Sequence, residues 1–201
     1  LPPPDLAHST TCLLCSHTPS CRALVMAHDI VATRARGIKS VVVDPRRISI
    51  GSQADILLQV RPGTDGALAL SIIHCLMEES WYDARFVRQW TNAPLLVDGE
   101  TGKVVTEADL IPDGAASRYL AWDELRDQVV LYDPATGAYE RDGVQPALFG
   151  ARSLKRKDGG EIRCRPVFER LGEIASAFAP ERSEKITWVP ANKVWQTALL
   201  L

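Results

Sequence analysis

No stretch of the 201-residue chain is long and apolar enough to suggest a membrane-spanning helix. The longest mostly apolar run, Ala67 to Met77, is interrupted by Ser71 and His74 and falls well short of the roughly 20 residues a bilayer core requires. An excess of either charge is also missing. The 23 Lys+Arg stand against 25 Asp+Glu, so no broad positive field is available to gather phosphate backbones, and nucleic-acid binding is not expected. Neither a P-loop nor a G-x-G-x-x-G is present, and no Ser-His-Asp or Cys-His arrangement can be assembled from spacing. The five cysteines are sparse and odd in number, which argues against a disulfide scaffold. An initiator Met and a basic-then-apolar leader are absent from Leu1-Pro2-Pro3-Pro4, and Ala198 to Leu201 stops inside an apolar helical pattern without a cap. Both features lead us to expect a piece of a longer polypeptide.

What is present is organised most clearly in residues 1–91. Thr10 to Cys15 reads as a short strand. The loop Ser16-His17-Thr18-Pro19 follows, and Ser20 is placed to cap a helix running to about Arg36, closed by Gly37. Ala23, Ala27, Val31 and Ala35 repeat every fourth residue, with Leu24 and Ile30 flanking, a stripe suited to close packing on a sheet. Ile38 to Val43 carries the run Val41-Val42-Val43, which has no polar alternation and so reads as a strand covered on both faces. Strand, helix and strand joined by a right-handed crossover put the two strands in parallel. The fold class expected is α/β: a doubly wound, mostly parallel, Rossmann-like sheet with a β-rich insertion and C-terminal helices.

Ligands of such sheets bind at the carboxyl ends of the strands. Three loops fall there: Ser16-His17-Thr18-Pro19, Asp44-Pro45-Arg46-Arg47, and, after a third strand at Ile56 to Val60, Arg61-Pro62-Gly63-Thr64-Asp65. If the strands are neighbours, the loops share one rim. Asp44 can accept hydrogen bonds from ribose hydroxyls, or it can simply initiate a turn with Pro45. Arg46 and Arg47 can pair bidentately with a pyrophosphate, or remain solvated. Thr64 can cap the next helix and Asp65 can complement its dipole. Alternatively, the Asp65 carboxylate matches the paired N–H donors on the Watson–Crick edge of guanine, with Gly63 allowing close approach.

Cys12, Cys15, His17 and Cys21 form C-x-x-C-x-H-x-x-x-C, which invites a zinc or iron–sulfur reading. A self-contained zinc- or nucleotide-binding module built on these four residues is the alternative function. Against it, residues 12 and 15 of a strand point to opposite faces, and free cysteine is commonly buried packing. Cys75, on a helix, and Cys164 have only the packing reading. His74, at the spacing of Ile73 and Met77, reads as a half-buried helix residue, and His28 lies on the first helix with no carboxylate pair expected for it.

The remainder differs in texture. Asp98-Gly99-Glu100-Thr101-Gly102 and Asp133-Pro134-Ala135-Thr136-Gly137 each lie between short apolar runs and read as turns of antiparallel strands. Residues 92–165 are therefore expected to form the β-rich insertion, with Arg152, Lys155, Arg156 and Lys157 at a solvated hairpin tip. Residues 166–201 are expected to be helical, with Pro166 opening one helix to about Ala179 and Ala191 beginning another that leads into a further α/β part.

Three ordered segments carry a family resemblance: Val41 to Arg47, Ala54 to Leu70, and Trp81-Tyr82-Asp83-Ala84-Arg85-Phe86-Val87-Arg88. They resemble the molybdopterin oxidoreductases of the dimethyl sulfoxide reductase type, and Pro166 to Leu171 and Pro180 to Ala191 are similar to the segment that follows the same domain. The resemblance implies an oxidoreductase with a bis(molybdopterin guanine dinucleotide) cofactor on molybdenum or tungsten. Residues 1–91 would be the domain gripping one guanine dinucleotide. Cys15, Ser16, His17 and Thr18, then Asp44, Pro45, Arg46 and Arg47, then Gly63, Thr64 and Asp65 correspond to its dinucleotide contacts, with Asp65 on the guanine. The first loop departs from the family's Trp-Gly-x-Asn-Pro, keeping only Pro19, and Ile48 stands where a Thr is usual. The family's iron–sulfur cysteines and metal ligand lie upstream of the matched region. No residue of this chain is therefore expected to be catalytic. The implied partners are the remainder of the catalytic polypeptide and an iron–sulfur electron-transfer subunit.

Overall fold

The computed structural model describes residues 5–15, 24–47 and 49–201. The chain divides into two compact units, residues 1–81 with 174–201, and residues 82–173. This division differs from the three sequence segments bounded at 91 and 165. Its second unit starts ahead of the helix at Ala84, and residues 174–201 belong with the first sheet.

In the first unit, β1 (Thr11–Cys15), β2 (Lys39–Val43) and β3 (Ile56–Leu58) form one parallel sheet in the order β1-β2-β3. The alternation of side chains along a strand divides its apolar residues between two cores. Val42 joins Leu14 and Ile30 on one face, with Cys12 and Leu57 packed against them. Val41, Val43 and Leu58 join Leu68, Ile72, Cys75, Val189, Val194 and Ala198 on the other. The uninterrupted valine run is thus buried on both sides, as its sequence predicts. Helix α1 (Leu24–Ala35) supplies Ile30 and Thr33 to the first face and ends before Gly37, whose φ of +93° only glycine adopts freely. Ala35, expected in the packing stripe, is exposed instead: the face turned to the sheet is centred on the Ile30–Thr33 spacing. The Ser20 cap and Ala23 lie outside the described residues.

The opposite face is covered by α2 (Asp65–Glu78) with two helices from the far end of the sequence. Pro166 does not open the first C-terminal helix. It is the last residue of a strand and pairs with Leu96, and helix α5 (Val167–Ser176) starts one residue later. A proline has no N–H to give to a ladder, so a strand end accommodates it. Further on, within the segment expected to be helical, stand α6 (Pro180–Thr187), not singled out in the sequence, and α7 (Ala191–Leu200). Ser183 of α6 donates to the carbonyl of Ala67 (3.4 Å), and Thr11 of β1 donates to that of Leu200 (2.6 Å). On the outer side of β3, Lys193 Nζ donates to the carbonyl of Leu57 (3.0 Å). Trp81 and Trp195 meet edge to face, 6.4 Å apart.

The second unit contains α3 (Ala84–Trp90), α4 (Glu107–Leu110), and two antiparallel three-stranded sheets: β4-β9-β8 (Leu96–Asp98, Glu161–Pro166, Arg152–Lys155) and β5-β6-β7 (Tyr119–Asp123, Gln128–Asp133, Ala138–Tyr139). Helix α5 begins in it. The two predicted turns are built alike. Asp98 and Asp133 each accept from the N–H two residues on, at 2.8 and 2.9 Å, and Gly102 and Gly137 both stand at φ +68°. In the predicted basic tip, Arg152 stacks over Trp122 (4.9 Å) and Arg156 approaches Asp98 (3.8 Å), so neither is a freely solvated charge.

Asp55, just ahead of β3, fastens the parallel sheet at its entry. Its Oδ2 accepts from the Ser40 N–H (2.8 Å) and the Ser40 hydroxyl (2.9 Å), and Lys39 stands 3.2 Å from Oδ1. These bonds, Ser40's foremost, outweigh desolvation and pull Asp55 down to about 2. A carboxyl depressed in the folded state stabilises the fold above its ordinary titration range and loses that contribution as pH falls toward 2. Asp55→Asn is expected to cost about 1 kcal/mol at neutral pH, a partly exposed charged hydrogen-bond set being discounted for screening. In urea titrations the gap between wild type and variant should close as pH drops from 5 to about 2; a gap constant over that range would refute the assignment.

Candidate functional site

The three parallel strands end in step. Cys15 lies opposite Val43, and Val43 opposite Leu58, so the chain leaves all three strands along one edge. The Asp44 N–H still reaches the Leu58 carbonyl (3.2 Å), extending the ladder one residue into the loops. Cys15, Asp44 to Arg47, and Arg61 to Asp65 therefore share the rim that the sequence predicts. Ser16, His17 and Thr18 lie outside the described residues.

Asp44 is nearly buried, and its Oδ1 accepts from the Arg46 N–H (2.7 Å) and faces Arg46 Nε (3.4 Å). That is an Asx turn, with the aspartate bonding its own backbone two residues on. The arrangement rigidifies the Asp44 to Arg46 turn, while Pro45, Arg46 and Arg47 are exposed at the edge.

The β3–α2 loop is equally ordered. Val60 is buried, and strand pairing stops at Leu58, two residues sooner than the sequence suggests. Thr64 occupies the N-cap position but does not cap: its hydroxyl donates back to the Arg61 carbonyl (2.7 Å), and its N–H reaches the same oxygen (3.1 Å). The turn takes the hydroxyl because Gly63, at φ +83°, folds the chain back onto Arg61. Gly63 has no atom within 4 Å of where a Cβ would stand, so its surface is open. Asp65 is exposed in the first turn of α2.

Two electrostatic facts bear on the rim. The Cys15 thiol is pushed above the ordinary cysteine range, first by burial and then by the negative charge of Asp65, which puts the ends of the first and third loops within reach of each other. Cys12, by contrast, packs on the α1 side of the sheet and is raised by burial alone. Cys12 and Cys15 of the zinc alternative thus sit on opposite faces of β1. Among the described residues no group of three or more His, Cys, Asp or Glu is arranged to hold a metal; His17 and Cys21 lie outside them. Cys75 and Cys164 are buried, desolvation lifting them to about 12 and about 11, and His74 is half-buried, as expected.

Trp188 and its tie to Arg61 were not foreseen. The Arg61 N–H donates to the Thr187 carbonyl (2.8 Å), joining the β3–α2 loop to the α6–α7 turn. The next residue, Trp188, ends α6 in the left-handed conformation at φ +64°, with the Arg61 guanidinium 5.2 Å from its ring centroid. A non-glycine residue held there costs roughly 1–2 kcal/mol, and Trp188 is nonetheless 65% exposed. Only its lone aromatic character, between Thr187 and Val189, could have drawn notice in the sequence.

No protein-family model matches the chain. It is 29% identical over 218 residues to the alpha subunit of perchlorate reductase from Dechloromonas aromatica, an alignment covering 96% of this chain and 24% of that one. It is 30% identical over 156 residues to the putative dimethyl sulfoxide reductase catalytic subunit of Halobacterium salinarum, covering 76% and 17%. The chain belongs to the molybdopterin oxidoreductases of the dimethyl sulfoxide reductase type. Among solved structures, acetylene hydratase from Pelobacter acetylenicus shares the fold over 97% of this chain and 17% of its own, with a TM-score of 0.57 at 20% identity. This molybdopterin-family chain thus spans a quarter or less of the length of these relatives.

The proximity of Cys15 and Asp65 can be measured directly. Asp65→Asn removes the lesser of the two causes that raise the thiol, burial being the larger, so Cys15 should alkylate faster with iodoacetamide at mildly alkaline pH, followed by peptide mass spectrometry. Cys12 serves as the internal standard and should not change. Equal Cys15 rates in both proteins would separate the two loops.

Proposed function

We propose that this chain seats one guanine dinucleotide of a bis(molybdopterin guanine dinucleotide) cofactor on molybdenum or tungsten, as part of an oxidoreductase. The observation carrying the reading is the shared rim: three parallel strands ending in step, with Asp65 close enough to Cys15 to perturb its thiol. The donor set suits the group. Asp65 is an exposed carboxylate for the guanine N–H pair, the open surface of Gly63 lets a ligand approach the backbone, and Arg46 and Arg47 are exposed cations for the pyrophosphate. The Asp44 turn orders the backbone at Arg46. Cys15, with Ser16, His17 and Thr18 that follow it in the sequence, would add to the set.

When bound, such a cofactor supplies electron or oxygen-atom transfer at its metal. This chain's own residues would bind and orient the nucleotide arm; the metal ligand and the iron–sulfur cluster would come from elsewhere in the parent protein. The remainder of the catalytic polypeptide is the first partner, and an iron–sulfur electron-transfer subunit the second. Support for an assembly comes from relatives named as alpha or catalytic subunits.

Isothermal titration of the full chain with GDP and with ADP tests the guanine site. GDP should bind and ADP should bind at least tenfold more weakly, because adenine presents an acceptor where guanine presents a donor. Asp65→Asn should weaken GDP by about tenfold or more, the range for a hydrogen bond to a charged group. Equal affinity for the two nucleotides, or none for GDP, would overturn the proposal.

A further inference from the structure

Trp188 is the least economical residue on the rim. The C-cap of α6 requires the left-handed conformation, because the Trp188 N–H bonds the Glu184 carbonyl (2.9 Å) and the chain must turn at once into buried Val189. Glycine meets that demand without strain. A tryptophan there retains the strain and leaves most of its surface in water. Backbone strain that packing does not explain is where a functional reason is to be sought.

Its placement supplies the reason. The Arg61 peptide is bonded at both ends to the rim: its N–H to Thr187, the residue before Trp188, and its carbonyl to Thr64, the residue before Asp65. The residues immediately before Trp188 and Asp65 are therefore both bonded to Arg61. The Arg61 guanidinium stands over the indole, which holds the ring and supports it as a stacking surface. A carboxylate for the edge of a base and an indole for its face are the two complementary halves of base recognition.

We propose that Trp188, backed by Arg61, is the stacking residue for the base whose edge Asp65 reads, and that its ligand is a 2-amino-4-oxo pyrimidine ring fused to a second ring. The proposal rests on the guanine reading above. Guanine and pterin share that ring, so the ligand chemistry is common to both ends of the cofactor. Free GDP and free pterin distinguish which end is seated.

The test uses the full chain with GDP, free pterin and ADP, followed by calorimetry and by tryptophan emission. GDP should quench wild-type emission. Trp188→Phe, which keeps an aromatic face, should bind GDP within about threefold of wild type and lose the quench. Trp188→Gly should bind GDP roughly tenfold more weakly, the effect expected of one base–aromatic stack. Its melting temperature should equal or exceed that of wild type, a result that a purely structural role would not produce. Free pterin quenching more strongly than GDP would assign the same stack to the pterin end. If GDP binds and responds to Asp65→Asn but Trp188→Gly binds as wild type does, the stacking role is overturned and the guanine reading stands. If the wild type binds neither GDP nor pterin, both fall together.

Discussion

The parallel ladder through Val41, Val42 and Val43 is the constraint on which the rest of the first unit depends. Three strands paired with Cys15, Val43 and Leu58 in register must release their loops along a common edge, and a slip of one residue would exchange every inward side chain with its outward neighbour. Because the strands feed two separate cores, such a slip would strand Val42 among the partners of Val41 and Val43. Burial on both faces is therefore what fixes the geometry of the rim.

The loops add order of their own. Asp44 and Thr64 each use a side-chain oxygen on local backbone, and Arg61 binds one loop to the C-terminal helices. Such preorganisation leaves less chain to be ordered if a ligand arrives at this edge. The molybdopterin oxidoreductase relatives align with this region within chains several times longer.

Much of this was legible from residue type. The valine run, Gly37 and the paired Asp-to-Gly turns announce themselves because one physical demand dominates each: double burial, a positive φ, a side chain bonding its own turn. What failed were positions where two demands compete. Thr64 has the chemistry of a cap, but the Gly63 turn offers its hydroxyl a nearer acceptor. Pro166 suits a helix start as well as a strand end, and the Leu96 pairing decides. Ala35 fits the apolar repeat yet lies at the last position of α1. Trp188 was invisible because its conformation is imposed by α6, its exposure by the surface, and its partner by a residue 127 positions earlier in the chain.

The contact between Lys193 and the Leu57 carbonyl bears on how this sheet can grow. Successive carbonyls of β3 point to opposite sides; that of Leu58 serves β2, and that of Leu57 faces outward. An ammonium seated there would have to be stripped away before another strand could pair, which makes that flank a poor template. At the other flank, Thr11 is bonded to Leu200, so the C-terminal helix is delivered beside β1. The last helix thus crosses one face of the sheet, from the outer side of β3 at Lys193 to β1 at Leu200.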